Sequence, residues 1–170
     1  MTCRASSTTS WRSALCRRAL PPTRHADDAY ARALLIWCLE RPAARDIGLL
    51  TWIGGVDAGD DAVHAQLRWE NGEEYSHEFA PSMWGEGPRP DIERLGIALD
   101  ACREAAASAP REHRPGALSA CAWLCWALGR STHADAYARG ALEIEPGHGL
   151  AGIVMSMVQA GHLPDWAFRP

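Results

Sequence analysis

The chain has no lysine; all 17 of its basic residues are arginine. With so much alanine and glycine, this points to a gene rich in G and C and carries no functional reading. No apolar window reaches the roughly 18 residues of a membrane span, and the start lacks the apolar core of a secretory signal. A cytoplasmic protein without a membrane partner is expected. No G-x-S-x-G elbow, no P-loop, no G-x-G-x-x-G after a strand and no H-E-x-x-H occurs. These gaps exclude the motif-bearing hydrolases, nucleotide binders and zinc peptidases, and no catalytic residue or cofactor is assigned. The six cysteines, Cys3, Cys16, Cys38, Cys102, Cys121 and Cys125, show neither a disulfide framework nor the paired C-x-x-C of a zinc site. Cys121 and Cys125 lie one helical turn apart, with His113 and His133 close in sequence, which makes a metal site conceivable. The simpler reading is that free cysteine is a small buried hydrophobe, so no metal ligand is assigned.

What is present fits one modest core. The chain has 170 residues, of which 47% are hydrophobic, a size that favours a single domain. The net charge of −4 is unevenly placed. Residues 1–25 carry Arg4, Arg12, Arg17, Arg18 and Arg24 with no acid, leaving 12 arginines against 21 acids, a formal −9, in the remainder. The acid-free stretch has the composition of a transit peptide or of a disordered arm, and the arm is the reading taken. The organisation expected is a disordered basic arm at 1–25 and one helical domain at 26–170. The arm's arginines, with Trp11 for stacking, support nucleic-acid association as an alternative function, which the acidic body opposes.

Periodicity and punctuation then place helices. Tyr30, Ala33, Leu34 and Trp37 follow the i, i+3, i+4, i+7 rule between Asp27 and Arg41, and Pro42 stops that run and opens a second helix ended by Gly54-Gly55. The stretch from Asp60 to Phe79 supports two readings. Val63, Ala65, Leu67 and Trp69 alternate before Asn71-Gly72, and Tyr75, His77 and Phe79 alternate after it, the pattern of a short β-hairpin over about 62–79. Asp60 or Asp61 as an N-cap and Gly72 as the residue past a helix end give instead a helix from Asp61 to Glu70. An isolated hairpin needs a sheet to join, so the helix is preferred.

Residues Ala80 to Pro90, A-P-S-M-W-G-E-G-P-R-P, read as a loop broken by two glycines and three prolines. Trp84 at its centre is expected to plug the core. The functional alternative puts Trp84, Glu86 and Arg89 on a recognition surface, since binding residues concentrate on loops held by a rigid scaffold. Beyond the loop, Asp91 caps a long helix with Ile92, Leu95, Leu99, Cys102 and Ala106 on one face, ending near Pro110. Pro115 opens another, with Leu118, Cys121, Leu124 or Cys125, and Leu128 as its apolar stripe before Gly129. Trp123 and Trp126 cannot both lie on that stripe, so partial exposure of at least one is expected. Ser131 or Thr132 is read as the next cap, with Thr132 and Asp135 forming a capping box. That helix closes at Pro146-Gly147, and a last one runs from Gly149 to Ala160.

Gly129, Ala134, Ala141 and Pro146, spaced 5, 7 and 5 residues apart, resemble the Gly, Ala, Ala, Pro positions of a tetratricopeptide repeat. Ala98, Ala105 and Pro110 echo them 36 residues earlier. Leu118, Cys121, Ala122 and Cys125 depart from that repeat, which prefers Trp, Leu, Gly and Tyr there. The segment Ala122 to Ala151, with the ending Ala160-Gly161-His162-Leu163-Pro164-Asp165-Trp166, also resembles the C-terminal part of an actinobacterial family catalogued as domain of unknown function 4192. Arg45-Asp46 and the W-G-E-G-P-R-P-D run from Trp84 to Asp91 extend the likeness over residues 45–168. Longer members carry a further N-terminal region. The resemblance implies a bacterial origin and a fold, and brings no activity.

Ser131, His133 and Asp135 are the residue types of acyl transfer, yet on one helix His133 points away from the other two. His148, between two glycines, reads as a helix cap or a surface group, and Glu143 and Glu145 as solvated charges. The fold expected is therefore all-α, built of antiparallel helical hairpins with a tetratricopeptide-like C-terminal pair. The function expected is a helical protein-interaction module that binds a protein or peptide, or a second copy of itself, in a groove between the C-terminal helices. The candidate surface residues are Trp84, Glu86, Arg89, Trp123, Trp126 and Trp166. An enzyme of unrecognised type is the remaining alternative.

Overall fold

Pro42, at the first position of a helix, and Gly55, just past its end, fix the boundaries that open the architecture. In the computed structural model, which describes residues 29–168 apart from Tyr75, α1 covers Ala29–Leu39, α2 Pro42–Gly54 and α3 Val56–Glu70. A 3-10 turn at His77–Phe79 leads into the single-turn α4, Ala80–Met83, and then the long α5, Ile92–Ser108. Another 3-10 turn, Arg111–His113, precedes α6 (Pro115–Ala127), α7 (Ser131–Ile144) and α8 (Gly149–Gln159), and Asp165–Phe168 form a third. The fold is all-α, with no strand among the described residues. No helix among them is long and apolar enough to cross a membrane. The arm expected over 1–25 lies outside the described residues.

α3 begins at Val56, not Asp61, so Asp60 and Asp61 lie inside the helix and neither caps it. The reason is close packing: a Cβ on Gly59 would stand 2.2 Å from Thr51 Oγ1, so this glycine lets the first turns of α3 lie against α2. Asn71-Gly72 closes the helix and makes no hairpin. Gly72 takes φ +95°, its N–H donates to the Trp69 carbonyl at 2.9 Å, and the Glu73 N–H donates to that of Arg68 at 3.1 Å. Those two bonds satisfy carbonyls that a helix end leaves open. Residues 80–83, expected as loop, instead form the turn α4, in which Pro81 lies at a first-turn position that needs no N–H.

α6 occupies the centre. Every residue from Pro115 to Ala127 except Leu118 is buried, and α1, α2, α5, α7 and α8 all contact it. Leu95, Leu99 and Cys102 face it from α5, Ala134 and Ala138 from α7, and Leu150, Val154 and Met157 from α8. Alanine at the α7 contacts, each with 0% exposure, lets the two helix backbones approach closely. Ser119, the buried hydroxyl of α6, donates to the Gly116 carbonyl at 2.8 Å.

Asp91 caps α5 as expected, its carboxylate accepting the Arg94 N–H at 3.0 Å. The Arg94 guanidinium also donates to the carbonyls of Trp52 and Ile53 at 2.8 and 2.7 Å, covering the C-terminal end of α2 with a cation. The cap expected at Ser131 or Thr132 is absent. Arg130 holds the cap position without a side-chain bond. Its N–H closes α6 by donating to the Cys125 carbonyl at 2.8 Å, which leaves no room in the link for a separate capping residue.

At Gly116 a Cβ would come within 2.4 Å of the Leu39 carbonyl oxygen and 2.9 Å of the Glu40 nitrogen, both backbone atoms. At Gly96, inside α5, a Cβ would meet nothing within 4 Å. Gly116→Ala is expected to destabilise the fold by about 2 kcal/mol, and Gly96→Ala to stabilise it by about 0.5–1 kcal/mol. Urea unfolding midpoints that shift in the same direction for both would contradict this packing.

Candidate interaction surfaces

The three tryptophans expected to contribute to an exposed patch do the opposite. Trp123, Trp126 and Trp166 are 1%, 0% and 3% exposed, which corrects the expectation that one of the α6 pair reaches solvent. A single apolar stripe would leave α6 a face open to solvent, whereas the helix is covered on all of its faces, and each indole lies beneath a neighbouring segment. Each N–H has a carbonyl acceptor: Trp123 donates to Met83 at 3.1 Å, Trp126 to His162 at 2.7 Å and Trp166 to Ala127 at 2.9 Å. Burial thus costs no lost hydrogen bond, and these residues carry stability, not a surface.

Trp84 is not the core plug it was expected to be; it is 48% exposed. Glu86 and Arg89 are exposed on the same loop. The backbone of that loop is held tightly. Gly85 is buried at φ +86°, and a Cβ there would lie 2.7 Å from both Pro164 and the Trp126 ring. The Asp165 N–H donates to the Gly85 carbonyl at 2.8 Å, and His162 Nε2 donates to that of Trp84 at 2.9 Å. The His162 ring stacks on Trp126 at 5.7 Å and meets Trp84 edge-on at 6.3 Å. The segment around residues 162–166 therefore clamps the loop to α6, with the outer Trp84 ring half in water.

The other chemistry-bearing residues do not assemble. Cys121 and Cys125 are buried, and burial pushes the Cys125 thiol up to about 11, which keeps it protonated and a poor ligand or nucleophile at neutral pH. The hydrogen bond that the Cys102 thiol donates to Cys121, with burial, raises Cys102 as well. His113 pairs with Glu40 at the surface and His133 is exposed, so neither joins the thiols. No group of three or more metal-ligating side chains converges among the described residues. Asp135 forms a two-bond pair with Arg139 at 2.8 and 3.1 Å and does not orient His133.

His148 does cap α8, its Nδ1 accepting the Ala151 N–H at 3.3 Å. Burial, then the charge of Arg45, lower its pKa against an opposing pull from Glu145. Nearby Asp46, paired with Arg45 at 2.8 Å, is raised by burial despite that arginine.

A feature lined by none of the candidate surface residues lies where α5, the Arg111–His113 turn, the start of α6 and α7 meet. A groove of about 370 Å³ has an apolar floor of Ala106, Ala107, Leu118, Gly140 and Ile144. Arg103, Arg111, Arg114, Tyr137 and Glu143 complete its lining. Leu118, the one residue of α6 that is not buried, points there. Arg103 Nε donates to the Tyr137 hydroxyl at 2.9 Å and its terminal nitrogen to Asp100 at 3.2 Å. Burial pulls the Arg103 pKa down, and those partners outweigh it, leaving it raised. Arg114 Nε donates to the Ala109 carbonyl at 2.9 Å. Among the described residues neither Arg111 nor Arg114 has an acidic partner within ion-pair distance. Arg103, Arg111 and Arg114 straddle Pro110 in the sequence, and the turn it directs is what gathers them.

Compared with protein-family models, curated proteins and solved structures, the chain matches none of them.

Trp126→Ala is expected to cost about 3–5 kcal/mol in urea unfolding, and Trp84→Ala about 1 kcal/mol; equal costs would contradict the burial contrast. For His148, the folded-state pKa lies below that of the unfolded chain. Its contribution is therefore complete above about pH 6.5 and is lost as pH falls through the folded value. Asp46, with its raised pKa, acts in the opposite sense, so the comparison is with His148→Asn, which keeps a cap acceptor but does not titrate. Between pH 7 and pH 5 the melting midpoint of the parent protein should fall further than that of the variant. Parallel curves would rule out the imidazole cap as the titrating group.

Proposed function

We propose that the chain is a helical protein-interaction module that takes a peptide segment of a partner into the groove between α5, α6 and α7. The observation supporting this most strongly is that groove itself, an apolar floor bordered by arginines. Floors of this kind accept aliphatic side chains, and arginines beside them fix direction and register through planar hydrogen-bonding forks. The site lies among the C-terminal helices but away from the buried tryptophan pair.

The same reading takes α6 and α7 as a tetratricopeptide-like pair. Gly129 at φ +72° in the link, with Ala134 and Ala141 at 0% exposure, supplies the turn and the small contacts such a pair uses. It also keeps the likeness to the family of unknown function 4192 and a cytoplasmic setting, neither of which carries an activity. Nucleic-acid association depends on the basic arm, and an enzyme would need a cluster of titratable groups in a cleft.

A peptide-display selection on the purified protein tests the proposal, with Gly140→Leu as the control. That substitution puts a good helix former in place of glycine and pushes an isobutyl group toward Leu118, whose methyl lies 3.8 Å from the new Cβ position. Convergent peptides that lose at least about tenfold affinity on the plugged variant, with a melting midpoint that is not lowered, are the expected result. Enriched peptides that bind the plugged variant equally well, or no enrichment, would overturn it.

A further inference from the structure

We propose that the groove selects an acidic peptide, an aliphatic side chain flanked by aspartate or glutamate, whose carboxylates are held by Arg111 and Arg114. This rests on the interaction-module reading above. Most other described arginines are charge-matched; Arg32 and Arg130 are not, but they lie outside the groove, so Arg111 and Arg114 are the two arginines of its lining without an acid. Arg41, Arg45, Arg68, Arg94, Arg103 and Arg139 each lie within 4 Å of an acid one to five residues away. Arg111 and Arg114 have no such partner among the described residues, although Glu143 lines the same groove.

The groove is also partly organised before a ligand arrives. Arg114 is fixed at its Nε by the Ala109 carbonyl, which leaves its terminal nitrogens for a ligand, and the Tyr137 hydroxyl fixes Arg103 in the same way. Held donors lose less conformational freedom on binding than free ones. The apolar floor, with Leu118 and Ile144, gives the aliphatic group a place to leave water.

The charge balance selects the class of anion. With Arg103 paired to Asp100, Arg111 and Arg114 against Glu143 still leave the groove locally positive, whereas residues 26–170 carry a formal −9. A polyanion such as a nucleic acid must cross that repulsive field with its whole backbone. A short peptide brings only the carboxylates that the arginines neutralise.

The test is fluorescence anisotropy with a labelled peptide of repeated Asp-Leu-Glu triplets, its Asn-Leu-Gln counterpart, and a labelled single-stranded oligonucleotide. The acidic peptide is expected to bind saturably, to weaken with added salt, and to exceed the neutral peptide by about tenfold or more. Arg111→Gln should remove about tenfold of its affinity and Arg111→Glu more. Arg130→Gln, an equal change in net charge at an exposed site outside the groove, should stay within about twofold. A neutral peptide that binds as well, an Arg111→Glu variant that binds normally, or an oligonucleotide that binds more tightly at the same salt would each overturn the acidic preference. Failure of the wider reading looks different: display-selected peptides that need the open groove yet carry no acid defeat only the preference, while the absence of any groove-dependent peptide defeats both.

Discussion

Between Arg114 and Arg130 the chain carries no charged side chain, and this run folds into α6. A helix without a polar face has no side to offer to water, so its neighbours must cover it all round. Among the described residues five other helices do so, and the large contributors are Trp123 and Trp126. A tryptophan of this kind removes about 150–250 Å² from water, a gross gain of about 4–6 kcal/mol before conformational entropy is set against it. Full burial imposes a condition, because each indole N–H needs an acceptor. The acceptors are the carbonyl of Met83, the last residue of the single-turn α4, and that of His162 in the segment after α8, while Trp166 reaches back to a carbonyl of α6 itself. The loops are thus ordered by the same helix that organises the core.

The groove follows from that arrangement. α5 and α7 flank α6, and the Pro110 turn carries the chain round its N-terminal end. There the cover is incomplete, and Leu118 is the residue left partly open. Charges kept out of α6 gather where the apolar run begins, which places Arg111 and Arg114 beside an uncovered apolar patch. An arginine without an acidic partner at a partly exposed site adds little to folding stability. The demands of the core account for the floor of the groove, but they do not account for its unpaired cations.

Helices bounded by strong punctuation were legible from the sequence. Pro42, Gly54-Gly55, Asp91, Pro115 and Pro146 act locally, through a missing N–H, a permissive φ or a side-chain cap, and the structure uses them as read. Features that depend on tertiary packing were misread. The cap read at Asp60 or Asp61 misses the start of α3, because the closeness of Gly59 to Thr51 exists only once α2 and α3 lie together. Trp123 and Trp126 were assigned to a helix with one buried face, although the lack of any charge from Pro115 to Gly129 was the signal that no face is exposed. Arg103, Arg111 and Arg114 had no periodic marker at all, since a turn and not a helix repeat brings them to one place.

The distinction between core and groove also decides which substitutions speak to function. A change at Trp126 removes packing, an indole hydrogen bond and the ring on which His162 stacks, so any loss of binding there is inseparable from loss of fold. Arg111 has no side-chain partner among the described residues, and removing its charge leaves every named contact of the core in place. Effects at that position report on recognition alone. An aromatic residue deep in the core is thus the weaker guide to what this protein binds, and an unmatched charge beside an apolar floor is the stronger one.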